Sequence, residues 1–135
     1  MNNTKRKKRK SLSPRLSCPL QKSIALVGLM GCGKTSIGMR LARRINLTFV
    51  DSDHEIEKAA GHTVAEIFEK FGEDDFRKGE RRVINRLLNQ GENIVLGTGG
   101  GAFMDEQTRG RLKLKTLVIW LRVDIDILVE RTSRR

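Results

Sequence analysis

Residues 28–35 read "GLMGCGKT", and this stretch decides the fold. It satisfies G-x-x-x-x-G-K-[ST] at Gly28, Gly33, Lys34 and Thr35. The pattern needs a strand before it and a helix after it. "SIALVG" (23–28) is a continuous apolar run ending in glycine, as expected of a strand buried on both faces. Over 35–45, Ile37, Leu41 and Ile45 recur at helical spacing. In that context the glycines let the backbone curl and turn its N–H groups toward phosphate oxygens. The helix N-terminus adds positive potential. Lys34 reaches β- and γ-phosphates, and the Thr35 hydroxyl suits Mg²⁺. Cys32 lies inside this loop, where a thiol can be acidified, but it is read as a small residue tolerated there. The motif fixes a nucleoside triphosphate with Mg²⁺ as donor and leaves the acceptor open.

Downstream, "LTFVD" (47–51) reads as a second strand. Val64, Ile67, Phe68 and Phe71 form an apolar helix stripe, and Val83, Ile84, Leu87 and Leu88 form another on a helix starting near Arg77. "NIVLGTGGG" (93–101) is a strand entering a glycine loop, "DEQTRGRLK" (105–113) a short polar helix, and "TLVIWLRV" (116–123) a fourth strand. Asp124 is placed to cap a last helix beginning "IDILVERT". The order β-α-β-α-α-β-α-β-α implies an α/β fold with a parallel sheet covered by helices. Ligands in such sheets bind beyond the carboxyl ends of the strands.

Three features fall at those ends. Asp51 and Asp53, two apart after the second strand, point to one face while the chain is extended. One carboxylate facing the first strand would be a metal-side ligand. The other, further out, would orient or deprotonate an acceptor hydroxyl. The competing reading is structural: both cap a helix beginning at His54–Glu55, a task Asp53 alone could perform. In "GEDDFRKGERRVI" (72–84), Arg77 and Glu80 are i, i+3 helix neighbours able to pair. "GTGGGAF" (97–103) carries four glycines in five residues, which permits close approach of a ligand to backbone N–H groups.

Composition limits the remaining classes. The 135 residues carry a formal charge of +11, with 27 Lys and Arg against 16 Asp and Glu. Seven of the basic residues, Lys5 to Lys10 and Arg15, lie in 1–20 without an acid, which leaves a net +4 for the remainder. Residues 1–21 are therefore expected to be a basic, disordered N-terminal extension, and 22–135 the folded domain. The extension is read as solvated rather than as a nucleic-acid anchor. No apolar run has the length of a secretory h-region or of a membrane helix. Two cysteines, Cys18 and Cys32, offer neither a disulfide framework nor metal spacing, which suits the cytoplasm.

Taken together, "GLMGCGKTSIG", "DSDHEIE", "FGEDDFRKGE", "GTGGGAF" and "LVERTSRR", in that order over 23–135, resemble shikimate kinase. The resemblance implies a three-layer, nucleoside-monophosphate-kinase-like P-loop fold around a central parallel sheet. It implies transfer of the γ-phosphoryl of ATP to the 3-hydroxyl of shikimate, on the way to chorismate and the aromatic amino acids, by a cytoplasmic monomer. By the same resemblance, Gly31, Cys32, Gly33, Lys34, Thr35 and Ser36 wrap the ATP phosphates, with Lys34 catalytic. Thr35 and Asp51 serve Mg²⁺, the latter through water, and Arg131 stacks on adenine. Asp53 grips the shikimate hydroxyls and is the candidate base; Arg77 binds the carboxylate and Glu80 supports that pocket; Gly99, Gly100 and Gly101 approach the ring through backbone. The family continues past this point with an Arg-Pro-Leu-Leu lid, a last strand and a last helix. The expectation is thus a C-terminally incomplete domain and poor turnover, since an arginine of the lid type is worth roughly 10³–10⁵ in rate.

Two other acceptor or class readings stand beside this one. A gluconate-type P-loop kinase would share the first motif and prefer gluconate. A non-catalytic ATP-binding module with a nucleic-acid-binding tail would show salt-sensitive binding that depends on residues 5–10.

Overall fold

The structure, a computed structural model, describes residues 22–28, 33–122 and 130. Strands β1 (Ser23–Val27), β2 (Thr48–Asp51), β3 (Ile94–Gly97) and β4 (Thr116–Trp120) make one parallel sheet in the order β2-β3-β1-β4. Between them lie α1 (Lys34–Ile45), α2 (Ser52–Ala60), α3 (Val64–Leu88) and α4 (Glu106–Lys115), with a 3₁₀ turn over Ala102–Met104. β1 and β3 are central, and every residue of both is buried. This is why "SIALV" and "IVLG" are apolar throughout rather than alternating.

Alternate residues of β1 serve opposite faces. Ala25 and Val27 pack with Ile56, Ile67, Phe76, Ile84 and Leu112 from α2, α3 and α4. Ile24 and Leu26 pack with Ala42, Leu41 and Ile45 of α1. The chain is therefore a helix–sheet–helix sandwich, as the sequence predicts. The α1 face is tightened by two glycines: a Cβ on Gly38 would collide with the Phe49 ring, and one on Gly97 would lie 2.9 Å from it.

Three expectations need correction. A helix, α2, follows β2 immediately, beginning at Ser52 rather than at His54. The apolar stripes of 64–71 and 83–88 lie on two helical stretches of α3, one on either side of the non-helical Gly72 (φ 87, ψ 170), and the second starts just after Gly72, earlier than the expected start near Arg77. A Thr63–Glu66 capping box starts α3, and Glu57 accepts from the Val64 N–H at 2.9 Å. Third, the stripes differ in burial: Val83, Ile84 and Leu87 are buried, whereas those of 35–45 and 64–71 are only partly so. Ile67 is buried, but Phe68 and Phe71 are 37 % and 53 % exposed, and Ile37 is 44 % exposed. The helix expected from 125, its cap Asp124 and the N-terminal extension lie outside the described residues. No helix among the described residues is long and apolar enough to cross a membrane.

The register aligns the three site-bearing loops. Leu26 of β1 and Asp51 of β2 both lie opposite Gly97 of β3. The segments after β1, β2 and β3 thus leave neighbouring strands at the carboxyl end of the sheet.

Candidate active site

On the β1 side, Gly33 has φ +96, a left-handed conformation that favours glycine, and α1 starts at the next residue. Among the described residues no side chain caps this helix, which leaves its first N–H groups available to an anion. Lys34 Nζ donates to the Gly28 carbonyl at 2.6 Å, which turns the ammonium back toward the end of β1. A cavity of about 650 Å³ opens here, lined by Gly33, Lys34, Thr35, Ser36, Asp51, Asp53, Gly99 and Gly100. Gly31, Cys32 and Arg131, which the resemblance assigns to ATP, lie outside the described residues.

The two carboxylates after β2 have different tasks. Asp51 caps α2: its Oδ1 accepts from the Asp53 N–H at 2.9 Å and the His54 N–H at 3.5 Å. The cap expected of Asp53 therefore belongs to Asp51, because Asp51 is the last extended residue (φ −98, ψ 117). Asp53, inside the first turn, makes no such bond. Its Oδ1 is buried and has no hydrogen-bond partner among the described residues. Burial raises its pKa above the ordinary aspartate range, and the neighbouring charges of Asp51 and Glu57 push the same way, against Lys34 and Arg77. A Cβ on Gly99 would sit 2.6 Å from Asp53 Oδ1, so the glycine loop is shaped around this carboxylate.

A second cavity of about 320 Å³ lies on the far side of Asp53. Asp53, Gly99 and Gly100 line both cavities. Arg77, Glu80 and Gly101 complete the polar wall of the second, and Val64, Phe68 and Phe76 make its apolar wall. Arg77 Nη1 donates to Glu80 Oε1 at 2.7 Å, the pairing the i, i+3 spacing predicts. Its Nε lies 3.6 Å from Glu73, and its guanidinium stands 5.1 Å from the Phe76 ring centroid. Glu80 is fully buried. Desolvation raises its pKa although the Arg77 bond opposes the shift, and its Oε2 has no hydrogen-bond partner among the described residues. A Cβ on Gly101 would meet Arg77 Nη2 at 2.5 Å, so the guanidinium lies directly over the loop.

The structure thus brings together Lys34, Thr35, Ser36, Asp51, Asp53, Arg77, Glu80 and Gly99 to Gly101 around two cavities that share Asp53, Gly99 and Gly100. The oxygen donors suit Mg²⁺, which takes few protein ligands and keeps several waters: Thr35 and Asp51 line one cavity. No group of three or more His, Cys, Asp or Glu is arranged to hold a metal among the described residues. Sequence reasoning missed the apolar wall. Phe68 belongs to the apolar stripe of 64–71, and the signal that separates it from Ile67 is its place one position round the helix, toward Arg77's cavity. It also missed Thr98, whose buried hydroxyl donates to the Leu26 carbonyl at 2.9 Å and ties the glycine loop to β1.

Residues 30–135 match the family described as Shikimate kinase. The chain is 55 % identical over 119 residues to the shikimate kinase of Zymomonas mobilis, a match covering 88 % of this chain and 67 % of that protein. It superposes on the shikimate kinase of Acinetobacter baumannii in complex with shikimate with a TM-score of 0.79 and 43 % identity, over 84 % of this chain and 63 % of that one. A gluconokinase from Sinorhizobium meliloti gives a TM-score of 0.55 at 21 % identity, over 84 % of this chain and 65 % of that one, a likeness of fold alone. The chain spans between about half and two thirds of the length of the curated relatives it matches.

Proposed function

The chain belongs to the shikimate kinase family, and from that premise we propose that it transfers the γ-phosphoryl of ATP to the 3-hydroxyl of shikimate. One observation carries the reading: Asp53, whose buried Oδ1 has no hydrogen-bond partner among the described residues, lines both cavities. ATP supplies the phosphoryl group from the cavity at Lys34 and Thr35, and Mg²⁺ would be held there by Thr35 and Asp51. Arg77 holds the shikimate carboxylate in the second cavity, oriented by Glu80. Gly99 to Gly101 admit the ring close to backbone. Asp53 accepts the hydroxyl proton as the acceptor oxygen bonds to phosphorus and the β,γ-bridging P–O bond breaks. Its raised proton affinity makes it a stronger base than an exposed aspartate. Lys34 balances the charge on the phosphates. Residues 22–135 belong to one catalytic domain, acting in the cytoplasm, and 1–21 are an extension outside it.

ADP release from MgATP, with shikimate and gluconate as rival acceptors, tests the reading. Shikimate-dependent release, with gluconate at background, is the expected result. Turnover that follows gluconate, or saturable ATP binding with no shikimate binding, would overturn it.

A further inference from the structure

We infer that the Arg81–Asp105 ion pair is a positioning element for acceptor binding, fixing Arg77 in register over the glycine loop. The inference rests on the function proposed above. Arg77 and Arg81 stand one turn apart on α3 and share a face. The segment after β3 offers them two points with the same spacing, Gly101 and Asp105. Between these points the 3₁₀ turn is a short fixed spacer: the Met104 N–H donates to the Gly101 carbonyl at 3.1 Å and the Asp105 N–H to the Ala102 carbonyl at 3.2 Å. Ala102 is fully buried. Arg77 lies against the first point, Gly101. Arg81 grips the second with both branches of its fork, Nε to Asp105 Oδ2 at 3.0 Å and Nη2 to Oδ1 at 2.7 Å.

The two arginines differ in what their partners belong to. Glu73 and Glu80, the ion-pair partners of Arg77, are on α3 itself. They aim the guanidinium but do not tie it to the loop. Arg81 bridges from α3 to another element. Its anchor is itself immobilised, because Asp105 caps α4 by accepting from the Thr108 N–H at 3.0 Å. One turn on, Arg109 Nη1 donates to the Phe103 carbonyl at 3.0 Å and pins the intervening turn. Sliding α3 against the loop would break the Arg81 fork, and a rigid helix would carry Arg77 the same distance. Misplacement on the order of 1 Å is costly at a binding or reacting centre.

Arg81→Gln and Arg81→Lys test the inference in the intact protein. Dissociation constants for shikimate and for ATP are measured in parallel. Arg81→Gln is expected to weaken shikimate binding roughly tenfold and to leave ATP within about twofold, since the fork, not general folding, is lost. Arg81→Lys, which keeps the charge but not the fork, is expected to fall between; it carries the test if Arg81→Gln does not fold. Unchanged shikimate affinity, or equal weakening of both ligands, would overturn the inference. If the wild-type protein bound no shikimate, the proposed function would fall. The Arg77 Nε–H resonance then decides the clamp separately: a shift or broadening in Arg81→Gln supports it, and an unmoved resonance removes it.

Discussion

Asp53 and Asp105 are both half-buried aspartates near arginines, yet they stand in opposite conditions. Asp105 uses both oxygens: Arg81 holds each of them, and the Thr108 N–H adds a third bond. Its carboxyl is accordingly held far below the usual carboxylate range, with the Arg81 hydrogen bonds as the main cause. Asp53 leaves one oxygen buried and unpartnered, faces two further carboxylates, and is pushed above that range. Under the proposed function, the contrast separates a carboxylate that stabilises from one that is kept for chemistry. A carboxylate with both oxygens bonded lowers the free energy of the folded state and has little left to offer a ligand. One held unsatisfied destabilises the fold and is available to accept a proton. The α3–α4 junction supplies order, and the cleft beside it uses that order.

The comparison breaks most sharply at Asp53. Asp53→Asn should lower shikimate phosphorylation by roughly 10²–10⁴, the range for loss of a general base. The same change should raise the melting midpoint slightly at pH 7, because it removes a carboxylate the fold disfavours. Steady-state kinetics and thermal unfolding of one preparation check both parts. Activity within tenfold of wild type would mean that Asp53 is not the base. The acid limb of wild-type kcat/KM should also lie above the ordinary aspartate range, because Asp53 must be ionised to act and its pKa is raised.

The glycine loop sharpens the same contrast with a smaller effect. Gly101→Ala places a methyl against Arg77 Nη2, and Gly99→Ala places one against Asp53 Oδ1. Both clashes are with the ends of side chains, which can swing away, and Gly101 has φ −105, open to any residue. Folding should therefore survive while the displaced groups lose their aim. Each variant is expected to raise KM for shikimate about tenfold with KM for ATP little changed. A loss of stability with both KM values intact would show that these glycines serve packing alone.

The sequence was informative where one residue type has one physical use. The glycine–lysine–threonine motif between an apolar run and a helical stripe leaves little freedom, and β1 and α1 fall where it places them. Arg77 and Glu80 pair as their spacing requires. What stayed hidden depended on angles rather than on types. Asp51 and Asp53 are the same residue two positions apart, and which one caps α2 is set by where the backbone leaves the extended region. The stripe at 64–71 does not say that Gly72 turns the chain so that Phe68 faces a cavity while Ile67 faces the core. Arg81 and Asp105 are 24 residues apart. No local period links them, and only the fold of the intervening β3 and glycine loop does so.

The smallest expected effect concerns Asp105, and its sign is set by linkage. Because the folded-state pKa is depressed, the stability Asp105 contributes is present above its unfolded pKa and is lost as pH falls toward the folded one. Asp105→Asn keeps a good helix cap but removes the charge that Arg81 grips. It should lower the melting midpoint at pH 7 by roughly 2–4 °C, modest because Arg81 is a third exposed. The gap between variant and wild type should be full above about pH 5 and narrow below about pH 4. Asp53→Asn should behave in the mirror sense: a raised carboxylate costs stability only once ionised, so the variant's advantage at pH 7 should vanish on acidification. Melting curves of the two variants against wild type from pH 7 to pH 3 would therefore converge from opposite sides. A pair of curves that approached wild type from the same side would mean that the two aspartates do not differ in the way their hydrogen bonds imply.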